Sequence, residues 1–294
     1  MTKHTQHNRD PSDLGREHLS GPWRSFDVLI PALNEAESLP YVLGPLIQIQ
    51  RGGEPLNSGM TLRKILVLDN GSTDETAAIA KDFGVEVIFA PKRGYGSACL
   101  EGIKAIQDSP PDVVLFLDAD GSDDLADLDP LLCLLSRSTD EPLSDQERFV
   151  LTSSLMEDHR YKNLEVSMVI GSRAKLAEQG ALTSIQRFGN ALSCFLLRRI
   201  FGAQFTDLGP FRAIRWPALE VLKMADQDFG WTVEMQAKAC AHNMLCAERD
   251  VSYHPRRAGR SKVSGSLKGS FKAGIKILWV IGGAWWRGSS NSVT

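Results

Sequence analysis

Asp112-Val113-Val114-Leu115-Phe116-Leu117-Asp118-Ala119-Asp120-Gly121 is an apolar run of strand length that stops at two aspartates separated by a single residue. A run apolar at every position fits a strand buried on both faces of a parallel sheet. In open α/β sheets ligands sit beyond the carboxyl ends of the strands, which is where these carboxylates fall. In extended chain alternate residues share a face, so Asp118 and Asp120 can address one object. Two hard oxygen ligands suit Mg²⁺ or Mn²⁺, which completes its shell with substrate phosphates and water. Taken alone, so short a pattern more often marks a polar strand end with Asp120-Gly121 as a turn.

The rest of the chain supplies partners for this strand. Residues 26–31 form a first apolar strand, and Asn34 is placed as the N-cap of the helix that follows. Residues 64–69 form a second strand. It turns through Asn70-Gly71-Ser72-Thr73 into a helix opened by Asp74 and Glu75 and stopped by Gly84. Residues 85–89 are a short third strand, and Arg93-Gly94-Tyr95-Gly96 turns into a helix over 97–107. Strand and helix alternating at this spacing predict a Rossmann-like, doubly wound, mainly parallel α/β sheet with helices on both faces. Residues 136–165 are polar and interrupted by Pro142, and read as a surface insertion with at most a short helix. Beyond them, strands are expected over 166–170, 211–215 and 245–253, and helices over 184–200 and 231–242. No repeat or linker marks a second domain, so one domain over 26–266 is expected.

The composition excludes several classes. A net charge of -3 argues against general affinity for nucleic acid, and 43% hydrophobic residues provide an ample core. Five cysteines without metal-ligand spacing read as reduced core residues of a cytoplasmic protein. The first 25 residues are polar, without the apolar core of a signal peptide, and are expected to be disordered. No apolar stretch reaches the ~20 residues that span a bilayer. After Asp250 there is no acidic residue, whereas basic residues recur through Arg287. That cationic end should face an anion. Within residues 267–294, Lys268, Lys272 and Lys276 are spaced by four, beside Leu267, Phe271, Ile275 and Leu278. With Trp279, Trp285 and Trp286 they suit a helix lying in an anionic membrane interface. A terminal helix packed on the domain with its lysines in water is the other reading.

Three groups of residues together resemble family 2 glycosyltransferases of the GT-A fold: Pro31-Ala32-Leu33-Asn34-Glu35, Asp69-Asn70-Gly71-Ser72-Thr73-Asp74 and Asp118-Ala119-Asp120. Gly171-Ser172-Arg173, Thr206-Asp207-Leu208-Gly209-Pro210-Phe211-Arg212, Gly230-Trp231-Thr232-Val233-Glu234 and Arg256-Arg257-Ala258-Gly259-Arg260-Ser261-Lys262 are similar to the dolichol- or polyprenyl-phosphate mannosyltransferase branch. The resemblance implies a nucleotide-diphosphate-sugar donor, a divalent metal and inversion at the anomeric carbon. By position it implies that Pro31 and Glu35 flank the nucleoside, with Asp69 near its base. Asp118 would line the donor site and Asp120 hold the metal on the diphosphate, with Arg256 and Lys262 on the phosphates. Arg173 and Arg187 match two arginines expected on a lipid phosphate. Asn70 stands where many relatives carry a second aspartate, which leaves base selectivity open. Ser122 replaces a glutamine near the metal, leaving that position to water.

The chemistry asks for such a set. Charge builds on the leaving diphosphate, so a cation and nearby guanidinium groups are the main requirement. A lipid phosphate, with a second pKa near ~6, is largely dianionic at neutral pH and needs positioning rather than deprotonation. Arg173 and Arg187 offer planar forked donors for that purpose. A hydroxyl acceptor would instead need a general base, for which Glu234 is the candidate; a carboxylate in a first helical turn is equally explained by the dipole. The resemblance implies transfer of a hexose, GDP-mannose favoured as donor, to a polyprenyl or dolichyl phosphate, expected at the cytoplasmic membrane face. Transfer from a UDP-sugar to a hydroxyl is the alternative, and a non-catalytic sugar-nucleotide-binding protein is a third. A nicotinamide-dependent oxidoreductase is disfavoured, because the first strand–helix turn lacks the Gly-X-Gly-X-X-Gly phosphate loop.

Overall fold

The computed structural model describes residues 24–157 and 164–258. Residues 1–23 of the N-terminal segment read as disordered, Lys262 and the amphipathic stretch 267–294 lie outside them, whereas Ser25, the last residue of that segment, opens the first strand. Among the described residues the strands are β1 (Ser25–Ala32), β2 (Thr61–Asp69), β3 (Glu86–Phe89), β4 (Val113–Phe116), β5 (Glu147–Val150), β6 (Met168–Ser172), β7 (Arg212–Arg215) and β8 (Cys246–Asp250). The helices are α1 (Leu39–Gly52), α2 (Thr76–Asp82), α3 (Tyr95–Ile106), α4 (Leu128–Leu135), α5 (Ser153–Glu157), α6 (Ser184–Phe201), α7 (Trp216–Leu222) and α8 (Trp231–Ala241). All these strands join one sheet in the order β3-β2-β1-β4-β7-β6-β8-β5. β1 pairs parallel with β2 and β4, β2 with β3, and β6 with β8. β7 runs antiparallel to both of its neighbours, and β5 antiparallel to β8. The sheet is thus doubly wound and mainly parallel, as the alternation of strands and helices implied.

Two cores flank it. Val28, Ile30, Val113 and Leu115 point toward α1, α2 and α4, while Leu29, Val114 and Phe116 point toward α3, α7 and α8. The β4 side chains are at most 1% exposed, each worth about 1.5–3 kcal/mol as an upper estimate of transfer from water. This parity carries the site: residues 114 and 116 face the α3 side, so the next residue in phase, Asp118, emerges there beyond the strand end. α3 lies close to the sheet because Gly102 has no side chain; a Cβ there would sit 2.6 Å from Leu68.

Three expectations are corrected. Asn34 is not a helix cap: α1 begins after Ser38, and Asn34 takes a left-handed φ of 52°. Its side-chain oxygen accepts from the Thr73 N–H at 2.7 Å, linking the β1 and β2 ends. Residues 136–165 are not only an irregular insertion, since they supply β5, one of the two edge strands of the sheet. β5 is held by ion pairs, Arg148 to Glu248 (2.8 Å) and Asp250 (2.7 Å), and Arg249 to Glu147 (2.8 Å). Helices α4 and α7 are further elements beyond those expected from the sequence.

Candidate active site

β4 stops where its carboxylates are used to turn the chain. The Asp120 Oδ1 accepts the Ser122 N–H at 2.9 Å, and Gly121 follows with φ of 72°, so the Asp-Gly turn reading and the ligand reading apply to the same residue. Asp123 folds back, its Oδ2 accepting the Asp118 N–H at 3.2 Å. Three carboxylates, Asp118, Asp120 and Asp123, are thereby crowded into one loop. Burial and then the Asp120 charge push Asp118 up to about 7, against the pull of Arg173, Arg256 and a hydrogen bond from Tyr95. Burial, with Asp118 and Asp120, pushes Asp123 well above its ordinary value. The Asp123 Oδ1 is buried without a partner.

Arg256 brings the far end of the chain to this loop. Its Nη1 lies 3.1 Å from the Asp120 Oδ2, and its Nη2 donates to the Glu35 carboxylate. Burial opposes the guanidinium charge, and Asp120 and Glu35 outweigh it, holding Arg256 above its ordinary value. Glu35 is itself placed by its backbone N–H on Thr76 Oγ1 at 2.8 Å and by Ser38, whose hydroxyl donates to it at 2.8 Å. The backbone seals the junction: His254 N–H donates to the Ser122 carbonyl (2.8 Å) and Arg257 N–H to that of Asp120 (3.1 Å). Glu35, Asp120 and Arg256, separated by up to 221 positions, therefore meet as one charged cluster.

The β2 end stands beside that of β1. Pro31 pairs with Leu68 in the β1–β2 ladder, and Asp69 accepts the Ser72 N–H at 3.1 Å. Asn70 is spent on structure: its amide donates to the carbonyls of Ala90 (3.3 Å) and Lys92 (2.7 Å) and accepts the Gly94 N–H at 2.8 Å. An aspartate cannot donate to two carbonyls, which explains the departure at this position. The following turn is tight. Gly94 has φ of 135°, and a Cβ on it or on Gly96 would lie 2.0 and 2.1 Å from the carbonyls of Gln227 and Asp226.

Arg173 is fixed at the β6 end. Asp207, 1% exposed, accepts from its backbone N–H (2.8 Å), Nε (2.7 Å) and Nη2 (2.9 Å), and the guanidinium lies 5.0 Å from the Tyr253 ring centre. The last residue of the Thr206–Arg212 motif serves the fold instead. Arg212 is fully buried and donates to the carbonyls of Leu208, Gly209 and Thr232. Arg187 is exposed on the first turn of α6, its Nε donating to the Leu182 carbonyl at 3.4 Å. Glu234, 6% exposed, accepts from the N–H groups of Ala225 (3.1 Å) and Asp226 (2.7 Å) and pairs with Lys238 at 2.8 Å. It anchors the 225–230 loop that leans on Gly94 and Gly96.

The donor set fits a divalent cation. Crowded carboxylates with raised affinity for protons, one oxygen of Asp123 unpartnered, are what a cation would relieve. Among the described residues no three His, Cys, Asp or Glu side chains are arranged to hold an ion by themselves, so Asp120 and Asp118 need a substrate's phosphate oxygens to complete the shell. Sequence reading missed Asp123, Tyr95 as the donor to Asp118, and Asp207 as the orienter of Arg173. The first was visible as a third carboxylate in the same short run; the others depend on tertiary contacts.

Comparison with known proteins agrees with this geometry. The model of the family described as "Glycosyl transferase family 2" matches residues 27–199. An uncharacterised glycosyltransferase of Mycobacterium tuberculosis is 33% identical over 254 residues, 86% of this chain and 96% of that protein. The undecaprenyl-phosphate mannosyltransferase of Micrococcus luteus is 26% identical over 267 residues, 87% and 94% of the two chains. In fold, the chain is similar to glucosyl-3-phosphoglycerate synthase from M. tuberculosis, solved with Mn²⁺, UDP and phosphoglyceric acid (TM-score 0.59, 16% identity, 96% of this chain and 84% of that one). With the sheet of GT-A glycosyltransferases and a family match over more than half its length, the chain belongs to glycosyltransferase family 2.

Proposed function

We propose that this glycosyltransferase moves a hexose, with inversion, from a nucleotide-diphosphate sugar to a polyprenyl or dolichyl phosphate, at the cytoplasmic face of a membrane. The observation that carries the reading is the Glu35–Arg256–Asp120 cluster. It sets a guanidinium and a carboxylate on the same spot, as a metal-bridged diphosphate leaving group requires. Mg²⁺ or Mn²⁺, when bound by Asp120 and Asp118, would neutralise charge on the leaving diphosphate. Pro31, Glu35 and Asp69 would frame the nucleoside, and Arg256 with Lys262 would neutralise the phosphates. GDP-mannose is the favoured donor, on the similarity to the Micrococcus mannosyltransferase; UDP-hexoses follow, on the fold neighbour solved with UDP.

The acceptor side rests on Arg173. Asp207 takes the Nε–Nη2 edge of its guanidinium and Tyr253 a face, which leaves the edge carrying Nη1 as the one a phosphate could take. Arg187 would supply a second positive charge. The hydroxyl-acceptor alternative asks Glu234 to remove a proton, and that carboxylate is already engaged by two backbone N–H groups and Lys238. The geometry therefore favours the phosphate acceptor. The proposal is tested by incubating full-length protein with radiolabelled GDP-mannose, UDP-glucose or UDP-N-acetylglucosamine and a polyprenyl phosphate, with Mg²⁺, Mn²⁺ or EDTA. Label should pass to lipid in a metal-dependent way; label reaching lipid equally in EDTA, or no transfer from any donor, would contradict it.

A further inference from the structure

α6 shows solvent a face that a water-exposed helix has no reason to carry. Phe188 is 71% exposed, Phe195 61%, Ile185 40% and Ile200 37%. At 100° per residue, Ile185, Phe188, Leu192 and Phe195 fall within an arc of about 80°. The opposite side is satisfied: Ser193 and Leu197 are buried in the domain. The helix itself is well built, with a Thr183–Gln186 capping box at one end and Gly202 at φ 73° at the other, so the exposed rings are not those of a frayed segment. Charge distinguishes the face further. From residue 179 to 206 there is no aspartate or glutamate, whereas Arg187, Arg198 and Arg199 are all present and all exposed.

We propose that the outward face of α6 docks on an anionic lipid surface, its phenylalanine rings entering the headgroup boundary and its arginines pairing with lipid phosphates. The inference rests on the reading of a lipid-phosphate acceptor and adds where the protein meets the bilayer. Aromatic and aliphatic residues on one face flanked by arginines, in a stretch without an acidic residue from 179 to 206, form an interfacial helix. The same helix ties back to the acceptor side: Asn190 accepts the Leu208 N–H at 2.7 Å and donates to the Thr206 carbonyl at 3.1 Å, beside Asp207 and its Arg173. A phosphate at the membrane surface would thus lie near the arginines assigned to it.

The test is flotation of the full-length protein with vesicles of phosphatidylcholine alone or mixed with phosphatidylglycerol. It compares wild type, Phe188→Ser/Phe195→Ser and Arg198→Gln/Arg199→Gln. Wild type should float with the anionic vesicles. The phenylalanine pair should lower partitioning about tenfold or more, and the arginine pair by a similar factor that high salt abolishes. Transfer to a short, water-soluble isoprenyl phosphate is measured alongside, and both pairs should retain it. Partitioning unchanged in both variants overturns the proposal. So does wild type that is dimeric by light scattering while the phenylalanine variant is monomeric, which would make α6 a face for a second copy. A marked fall in melting temperature of the phenylalanine variant, with partitioning intact, would overturn it too, since the chain's own C-terminal segment would then cover the face. Absence of transfer to the soluble acceptor in wild type, with partitioning as expected, would contradict the acceptor reading and leave the docking face standing.

Discussion

The Nη1 of Arg256 lies 3.1 Å from the Oδ2 of Asp120, the second carboxylate of the Asp-X-Asp pair, and the same guanidinium bonds Glu35. This contact ties the chain beyond β8 to the ends of β1 and β4, and it is made between groups that a diphosphate and its metal would each need in the proposed reaction. Replacing Arg256 with Gln removes one charge-assisted contact, worth roughly 1.5–3 kcal/mol. Donor affinity, read by isothermal titration with Mg²⁺ present, should fall about ten- to a hundredfold. Unchanged affinity would remove Arg256 from the donor site.

Asp120→Asn should abolish turnover and the metal dependence of nucleotide binding while leaving the circular dichroism spectrum intact. Its amide can still accept the Ser122 N–H, so the turn survives. Activity equal to wild type would exclude the role given to Asp120.

Asn70→Asp inverts the polarity of a buried amide that faces two carbonyls. Unsatisfied buried groups cost about 1–3 kcal/mol, so the variant should melt several degrees lower. A melting curve that matches wild type would show that the loop does not depend on this side chain.

His254 lies 2.6 Å from Glu178 and 3.4 Å from Asp124. The hydrogen bond to Glu178, followed by that to Asp124, raises its pKa above the ordinary 6.5. A raised histidine stabilises the fold fully below the unfolded value and loses that contribution as pH rises through the folded one. Melting temperature should therefore drop more between pH 6 and pH 8 (about half a unit below and one and a half units above the unfolded value) in wild type than in Glu178→Gln. Identical pH slopes would contradict this assignment.

Much of the fold was legible because it is written in local patterns. β1, β2 and β4 are apolar runs ended by Pro31, Asp69 and Asp118, and the helices expected over 184–200 and 231–242 stand as α6 and α8. β5 was not legible because an edge strand that alternates Glu147 and Phe149 with Arg148 and Val150 is stabilised by ion pairs to β8, about a hundred positions away. The site divides in the same way. Asp118, Asp120 and Arg256 announce themselves by motif, whereas Asp207 as the holder of Arg173 and Glu234 as the anchor of the 225–230 loop exist only once the chain is folded. Asn34 shows the same limit: its residue type suits a cap, but its partner Thr73 lies 39 positions on.

The acceptor phosphate is tested most directly by offering purified protein a polyprenyl phosphate and the matching unphosphorylated alcohol, with labelled donor. Wild type, Arg173→Ala, Arg173→Lys and Glu234→Gln are compared. Wild type should glycosylate the phosphate and ignore the alcohol. Arg173→Ala should lower kcat/KM for the phosphate about ten- to a hundredfold, as loss of one charge-assisted contact implies, with donor affinity barely changed. Arg173→Lys should restore only part, since an ammonium cannot be held by Asp207 and present the same fork. Glu234→Gln should melt lower yet keep its kcat. Transfer to the alcohol alone, indifferent to Arg173 and lost in Glu234→Gln, would contradict the phosphate-acceptor reading.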